Sequence, residues 1–380
     1  MSIKALSKKM LAIVAAGAMT MGLAMPTSVF AAEGDTIAKV TEAYISKTFN
    51  TEVGKNETFS FKAEQVGGNT EKVTIPDIHF TDSETGTTTK TAKVSFPDWT
   101  DAGKYEYTVT ETAATPTITD GEHQKMIMSK AAYTMDVYVS NADNGFEISN
   151  IIVNKKQDDK GETAEGKVDI SNTDKNGFNF TNTYVQEAGT GTDPSNPGTD
   201  PDDDYTKYGS LNVSKKIDAP EGNIDSNATF NFTAKFEFPT GTDANTLGAK
   251  AGNKTLTLDG NGQHTFTLKH NESMKYTGLP VGTKITVTET GVANYKGSAS
   301  VVLNGGDAKN VTVAKYHDNL VAVNGDKLGQ KKNTVDVTNT YNYVPTTGII
   351  MNNLPYVLMI ALCGAALMAF VAFKRRSLQK

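Results

Sequence analysis

Between its two ends, the chain consists largely of short runs in which hydrophobic and polar residues alternate. Clear examples are TFSFKAEQV, AAYTMDVYV, TFNFTAKFEF, HTFTLKH and KNVTVAKY. A period of two is typical of β-strands with one face in a core, and the segments GGN, NGQ and NGG between the runs are typical of turns. No amphipathic helical pattern of useful length competes with these runs. The pattern therefore predicts an all-β fold.

Two phrases in this chain each occur twice, in the same order. The first pair is YEYTVTET followed by FNFTNTYV, and the second pair is TKITVTET followed by VDVTNTYN. A fixed order of two phrases, repeated once, indicates two copies of one domain type. Each copy is long enough to form its own core, so we expect two β-sandwiches in tandem, over residues 32–185 and 208–343.

The stretch between the two copies, residues 186–207, has a different composition. It is rich in Gly, Pro, Asp and Thr and contains almost nothing that could be buried. Such a composition predicts a solvated linker, which would be the extensible part of the chain. Its run of Asp residues could instead be a calcium loop, but the run lacks the graded ligand spacing of such loops.

Composition narrows the classes of function. The net charge of -6 indicates no nucleic-acid partner, and the single cysteine, Cys363, rules out an intramolecular disulfide. The five histidines are scattered, and His264 and His270 lack the context of a zinc site, so we expect no metal and no cofactor. There is no Gly-x-Ser-x-Gly elbow, and no turnover enzyme is visible.

The first 31 residues have the features of a cleaved secretory signal peptide. Lysines precede an apolar run, and Val29 and Ala31 are small residues before a cleavage site. A membrane anchor is the alternative, but the run is short and is interrupted by Gly and Pro. We therefore expect the mature chain to begin near Ala32.

The C-terminal segment, residues 344–380, combines a short motif with an apolar span. Residues 354–373 are predominantly apolar and long enough to cross a bilayer, and the basic sequence KRR follows them. The pentapeptide VPTTG precedes the span as Val344, Pro345, Thr346, Thr347 and Gly348.

This arrangement resembles the cell-wall sorting signals of Gram-positive surface proteins, in which a Leu-Pro-x-Thr-Gly motif, an apolar span and a basic tail occur in that order. The sequence departs from the family at Val344, where Leu is usual. The resemblance implies that a membrane sortase cuts between Thr347 and Gly348 and joins the new carboxyl group to an amine. It also implies a secreted protein that is linked to the cell wall.

Strand phase places an unusual set of polar residues on the inward faces. Residues i and i+2 of a strand share a face, so a polar residue in phase with hydrophobic neighbours should point into the core. The runs AYISK, YEYTVTE and FNFTN of the first copy each contain one such residue, as do LNVSK, KITVTE and VDVTN of the second. These residues are Lys47, Glu111 and Asn182 in the first copy and Lys215, Glu289 and Asn339 in the second.

Buried Lys, Glu and Asn side chains that lie close together can react with one another. Burial disfavours the charged amine, and a neutral amine can attack the side-chain carbonyl of a nearby Asn. Burial also raises the pKa of Glu, so that Glu can carry a proton during the reaction. The product would be a Lys–Asn isopeptide bond. The alternative is an ordinary buried ion pair, with Asn capping a turn.

The same residues resemble the isopeptide-linked domains of Gram-positive pilins, a branch of immunoglobulin-like folds related to collagen-adhesin B-type repeats. The resemblance lies in ISK, YTVTET and FTNTY of the first copy and in VSK, GLPVGTKITVTET and VTNTY of the second. It implies that the first and last strands lie side by side and are joined by Lys–Asn bonds, with Glu111 and Glu289 as the catalytic residues. Lys39 is also in phase with a hydrophobic neighbour and remains an alternative to Lys47, although ISK parallels VSK.

The resemblance further implies a major pilin, the shaft subunit of a pilus. A class C-type sortase would join the Thr carboxyl of one subunit to a Lys of the next, and the partners would be identical subunits, minor pilins and peptidoglycan. The usual Tyr-Pro-Lys motif is absent, so the receiving residue is chosen by its place shortly before the last strand of the first copy, which favours Lys175. Its rivals are Lys167, Lys160, Lys156 and Lys155. The alternative function is a wall-anchored adhesin or minor pilus subunit that binds a host surface ligand.

Overall fold

The computed structural model describes residues 39–68, 70–191, 201–219 and 224–342, together with positions 359, 362, 363 and 366. The predicted signal peptide (1–31) and the pentapeptide (344–348) lie outside the described residues, as does most of the predicted span, so these three remain predictions. Among the helices of the described part, none is both long enough and apolar enough to cross a membrane.

Within residues 39–68 and 70–191, ten strands make up the first half of the fold. They are β1 (Tyr44–Thr51), β2 (Glu57–Val66), β3 (Ile78–Phe80), β4 (Gly86–Lys93), β5 (Gly103–Thr115), β6 (Gln124–Ile127), β7 (Ala132–Ala142), β8 (Gly145–Gln157), β9 (Thr163–Val168) and β10 (Gly177–Gln186). One sheet has the order β4-β1-β10-β6 and the other the order β3-β2-β5-β7-β8-β9. The inward residues of both sheets form the core, where the rings of Phe49, Phe59 and Phe80 lie 5.1 to 5.8 Å apart between centroids.

Eleven strands make up the second half within the described ranges 201–219 and 224–342. They are β11 (Leu211–Asp218), β12 (Phe230–Glu237), β13 (Lys250–Ala251), β14 (Lys254–Thr255), β15 (Gln263–Leu268), β16 (Ser273–Thr277), β17 (Lys284–Glu289), β18 (Tyr295–Val302), β19 (Lys309–Thr312), β20 (Leu320–Lys327) and β21 (Thr334–Tyr341). A sheet of order β14-β13-β16-β11-β21-β18-β19 accompanies a sheet of order β15-β12-β17-β20. The prediction of an all-β fold with two tandem sandwiches is confirmed.

The first and last strands of each sandwich are neighbours and run parallel. In the first sandwich, β1 pairs with β10, and Phe49 lies opposite Asn182. In the second sandwich, β11 pairs with β21, and Ile217 lies opposite Asn339. Parallel neighbours need a long connection, and here the rest of each sandwich supplies it. The pairing therefore brings together residues from the two ends of each domain.

The prediction of a solvated linker over residues 186–207 is wrong for its first residues. Gln186, Glu187, Ala188 and Thr190 are at most 2% exposed. The Ala188 N–H donates a hydrogen bond to the Leu279 carbonyl at 2.8 Å, and the Gly189 N–H donates to the Gly329 carbonyl at 3.0 Å. Backbone hydrogen bonds to the second sandwich hold this segment, and a composition poor in hydrophobic side chains does not reveal such bonds.

Later in the same stretch, the chain forms the helix α1 (Asp203–Tyr208). The side chain of Asp202 caps its first turn by accepting a hydrogen bond from the Tyr205 N–H at 2.9 Å. Gly209 ends the helix with a positive φ of 65°, which favours glycine. Residues 192–200 lie outside the described part of the chain.

The buried carboxylate of Glu187 connects the two sandwiches. Glu187 Oε1 accepts hydrogen bonds from the Tyr205 hydroxyl at 2.8 Å, from the Ser210 hydroxyl at 2.6 Å and from the Gly278 N–H. Glu187 Oε2 lies 2.6 Å from His123 Nδ1, which belongs to the first sandwich. We call these five residues the Glu187 joint. Because a buried carboxylate is costly unless it is fully hydrogen-bonded, the joint favours one arrangement of the two sandwiches.

The joint should weaken as the pH rises. The hydrogen bond that His123 donates to the Glu187 carboxylate raises the pKa of His123 above its ordinary value. A raised pKa in the folded state stabilises the fold fully below the unfolded pKa, near 6.5, and the contribution is lost as the pH rises through the folded pKa. We expect opening of the joint to become about tenfold easier at high pH, since a hydrogen bond to a charged group is worth about 1.5 kcal/mol.

Hydrogen exchange of the Gly189 amide, corrected for the intrinsic rate at each pH, would measure this opening. The variant His123→Asn should remove the pH dependence. The matched control is His79→Asn, because His79 is an exposed residue of the first sandwich outside the joint. Equal pH dependence in the wild type and in His123→Asn would contradict the prediction.

Candidate isopeptide-forming sites

The first site joins three residues from three strands. Lys47 lies on β1, Glu111 on β5 and Asn182 on β10, so the site spans both sheets of the sandwich. Lys47 Nζ lies 2.9 Å from each carboxylate oxygen of Glu111, and Asn182 Nδ2 donates a hydrogen bond to Glu111 Oε1 at 2.7 Å. The side chains of Lys47 and Glu111 are completely buried.

The second site repeats this arrangement on β11, β17 and β21. Lys215 Nζ lies 2.8 Å from Glu289 Oε1, and Asn339 Nδ2 donates a hydrogen bond to the same oxygen at 2.8 Å. All three residues are at most 3% exposed. In both sites, one carboxylate therefore contacts the amine of Lys and the amide nitrogen of Asn.

Aromatic rings cover both amines. Lys47 Nζ lies 4.3 Å from the ring centroid of Phe59, and Lys215 Nζ lies 4.1 Å from that of Phe230. The rings exclude water, which raises the cost of a charged amine, although their faces still attract a cation.

In both sites, the pKa shifts favour the neutral forms of Lys and Glu. Burial lowers the pKa of Lys47 and of Lys215 to about 8, although the adjacent Glu opposes the shift. Burial also raises the pKa of Glu111 and of Glu289, against the influence of the lysines. Both directions favour transfer of a proton from Lys to Glu. That transfer leaves a nucleophilic amine beside an amide.

The structure brings together all six residues that strand phase singled out, as two separate triads. Lys39, the alternative to Lys47, is exposed and precedes β1. Lys175 is exposed in the turn between β9 and β10, outside both triads. Whether the bonds form stays a prediction.

Sequence reasoning missed one contact of the first site. The Ser129 N–H donates a hydrogen bond to Asn182 Oδ1 at 2.6 Å. In the second site, Asn339 Oδ1 is buried and accepts no hydrogen bond from the described residues. A backbone N–H does not depend on the residue type, so no pattern in the sequence could have revealed that Asn182 Oδ1 has a donor and Asn339 Oδ1 has none among the described residues. Within the described ranges, no group of three His, Cys, Asp or Glu could hold a metal ion.

Comparison with known families bears directly on the first site. Residues 43–185 match the family described as the Spy0128-like isopeptide containing domain. Residues 43–185, which make up the first sandwich, are therefore similar to a Spy0128-like isopeptide domain. This match confirms the predicted family for the first copy. Residues 209–341 match a family described as a domain of unknown function, DUF7601.

Solved structures similar to this chain include pilus proteins. A major pilin from Streptococcus pyogenes is 20% identical, with 80% of this chain and 99% of that chain covered and a TM-score of 0.31. The T-13 major pilin of the same species is 18% identical, with 80% and 98% covered and a TM-score of 0.30. A pilus-presented adhesin is 16% identical, with 55% and 35% covered and a TM-score of 0.25. No protein with a curated description matches the chain.

The second sandwich contains the same three residue types as the first, and its Glu likewise contacts the Lys amine and the Asn amide nitrogen. Its catalytic candidate lies on a four-stranded sheet, whereas that of the isopeptide domain lies on a six-stranded sheet. The parallel pairing of first and last strands is common to both. This shared pairing, rather than the strand count, positions Lys beside Asn in each sandwich.

Proposed function

We propose that this protein is a structural pilus subunit, the major pilin of a sortase-assembled shaft, and that each sandwich is locked by a Lys–Asn isopeptide bond. The observation that carries the proposal is the pair of buried Lys–Glu–Asn triads, each connecting the first and last strands of its domain. The subunit is exported and displayed on a Gram-positive cell surface. A class C-type sortase cuts it after Thr347 and joins it to the next subunit, and minor pilins and peptidoglycan are further partners.

The bond forms by a single intramolecular reaction. Glu111 accepts a proton from the Lys47 ammonium, and the neutral Nζ attacks Cγ of Asn182. Glu111 then relays a further proton from Nζ to Nδ2, the bond between Cγ and Nδ2 breaks, and ammonia leaves. Glu111 ends protonated, which its burial favours. Glu289 performs the same steps for Lys215 and Asn339, so the protein acts as a self-linking structural component rather than as a turnover enzyme.

Lys175 is the proposed receiver of the next subunit. Its side chain is exposed, and its backbone has a positive φ of 51°, in a turn directly before β10. The same turn is fixed to the start of the domain, because Asn172 Oδ1 accepts hydrogen bonds from the Thr41 and Glu42 N–H groups at 3.0 Å. A fixed, exposed amine is a suitable nucleophile for an enzyme-bound acyl group.

Replacing Lys175 by Arg should abolish the covalent polymer. Arg keeps the charge but is effectively always protonated, so it cannot act as a nucleophile. Wall extracts from a Gram-positive host that carries the cognate pilus sortase would be compared in denaturing gels, where the wild type should give a ladder. The matched control is Lys160→Arg, at a rival exposed lysine of the same sandwich, which should leave the ladder unchanged.

Two outcomes would count against these assignments. A ladder that persists in Lys175→Arg and disappears in Lys160→Arg would move the receiving site to Lys160. A single anchored species in the wild type would contradict the shaft assignment and favour a wall-anchored adhesin.

A further inference from the structure

The two triads differ at the amide oxygen of their Asn. In the first site, Asn182 Oδ1 accepts the Ser129 N–H at 2.6 Å, while Asn182 Nδ2 faces Glu111. A backbone N–H can only donate, so it fixes which amide atom faces it. In the second site, Asn339 Oδ1 has no hydrogen-bond donor among the described residues.

Asp159 holds this donor in place. Asp159 Oδ1 accepts hydrogen bonds from the Ser129 hydroxyl at 2.5 Å and from the Thr181 N–H at 2.9 Å. Its backbone carbonyl accepts the Lys130 N–H at 3.0 Å. Asp159 thus ties the loop that carries Ser129 to the residue immediately before Asn182 on β10.

In the first site, Glu111 and the Ser129 N–H contact different atoms of the reacting groups. Glu111 contacts both nitrogens between which a proton must move, Lys47 Nζ and Asn182 Nδ2. Attack on Cγ converts Asn182 Oδ1 into an oxyanion, and a donor already aimed at that oxygen stabilises the developing charge without reorganisation. Loss of one such donor typically slows a reaction about 100-fold or more.

We propose that the Ser129 N–H is the oxyanion donor for the first isopeptide bond and that Asp159 is its positioning residue. The second sandwich closes its bond without an equivalent donor from the described residues. This inference rests on the proposed bond formation and adds to it a group that acts on oxygen, as Glu111 acts on nitrogen.

Asp159 also acts on the site through its charge, and the two effects can be separated. Its negative charge raises the pKa of Lys47 and also that of Glu111, so removing the charge affects both partners of the proton transfer. The variants Asp159→Ala and Asp159→Asn both remove the charge. Only Asp159→Asn keeps an oxygen that can accept hydrogen bonds from Ser129 and Thr181. A difference between the two variants therefore reports positioning.

The test follows both bonds in one sample. The full chain is made by cell-free translation, quenched in denaturant at successive times and digested, and the linked peptides of each site are quantified by mass. In Asp159→Ala, the bond between Lys47 and Asn182 should form about tenfold more slowly or worse. The bond of the second site should keep its rate within about twofold, since Asp159 does not touch it, and Asp159→Asn should restore most of the first rate.

Matched controls separate positioning from general damage. Asp158→Ala perturbs the same turn, where Asp158 Oδ1 accepts the Lys160 and Glu162 N–H groups, and should leave the first bond's rate within about twofold of the wild-type rate. Should Asp159→Ala fail to fold, Ser129→Ala tests the same link. It removes the hydroxyl contact to Asp159 and keeps the N–H, and slowing of the first bond by a few-fold is expected.

Three results would overturn the inference. The first is an unchanged first-bond rate in Asp159→Ala or in Ser129→Ala. The second is equal slowing in Asp159→Asn and Asp159→Ala, and the third is equal slowing in Asp158→Ala. Absence of linked peptides from both wild-type sites would instead overturn the proposed bond formation, and this inference with it.

Discussion

Replacing Glu111 by Gln is expected to abolish the first isopeptide bond and to lower the melting temperature of the first sandwich by about 10 to 20 °C. Gln fills the same space but cannot carry a proton between Lys47 and Asn182. The bond closes a loop of more than a hundred residues, and a cross-link of that span is worth about 5 kcal/mol through the entropy of the unfolded chain.

Intact mass and calorimetry would measure the two parts of this prediction. Each bond releases one ammonia, so the wild type should lie about 34 Da below the sequence mass and Glu111→Gln should lack one of the two deficits, about 17 Da. Glu289→Gln should lose the other deficit and destabilise the second sandwich.

The control for both variants is Glu64→Gln, because Glu64 forms an exposed ion pair with Lys62 at 2.6 Å. It should keep both deficits and change stability by less than about 1 kcal/mol. A wild type at its full sequence mass would remove the chemical basis of the proposal, and both triads would then be buried ion pairs.

Pulling the protein between Lys175 and Asn342 should extend it without unfolding a whole domain. Force applied there enters the chain just before β10 and reaches the second sandwich at β11. The proposed bond between Lys215 and Asn339 then transmits the force from β11 to β21, so the remaining strands of the second sandwich bear no load. The residues between those two are shielded from load. Only the Glu187 joint and the stretch that continues through α1 can yield, by roughly 70 Å when fully extended.

Single-molecule force spectroscopy with variants of Glu111 and Glu289 would test this path. Glu289→Gln should add a step of roughly 400 Å, since the second sandwich would then unfold under load. Glu111→Gln is the matched control, because the first bond lies outside this pulling geometry and its loss should add no large step. A step of whole-domain size in the wild type would contradict the load path.

Strand phase pointed to all six residues of the two triads, because an inward polar residue is conspicuous in a pattern of exact period two. Phase alone is not a sufficient criterion. Glu57 shares the inward face of β2 with Phe59 and is fully buried, and burial raises its pKa to about 7, yet Glu57 belongs to neither triad. Glu111 lies in one of the doubled phrases, and Glu57 does not.

Two features could not be predicted from the sequence, for one physical reason. Ala188 and Gly189 are held by backbone hydrogen bonds, and Asn182 Oδ1 is held by a backbone N–H. Backbone groups are the same in every residue, so their contacts depend on the fold and leave no trace in composition or spacing. The prediction that residues 186–190 belong to a solvated linker was wrong for this reason.

The parallel pairing of first and last strands also determines when a domain can be locked. Asn182 is made last and Lys47 first, so no bond can close on a partly synthesised domain. The pairing spans nearly the whole domain and is among the slowest contacts to form. In the proposed reaction, the bond therefore forms only in a domain that has completed its folding. During synthesis, the proposed bond of the first sandwich can form before the second has acquired its final strand, so the two domains would be locked in the order in which they are made.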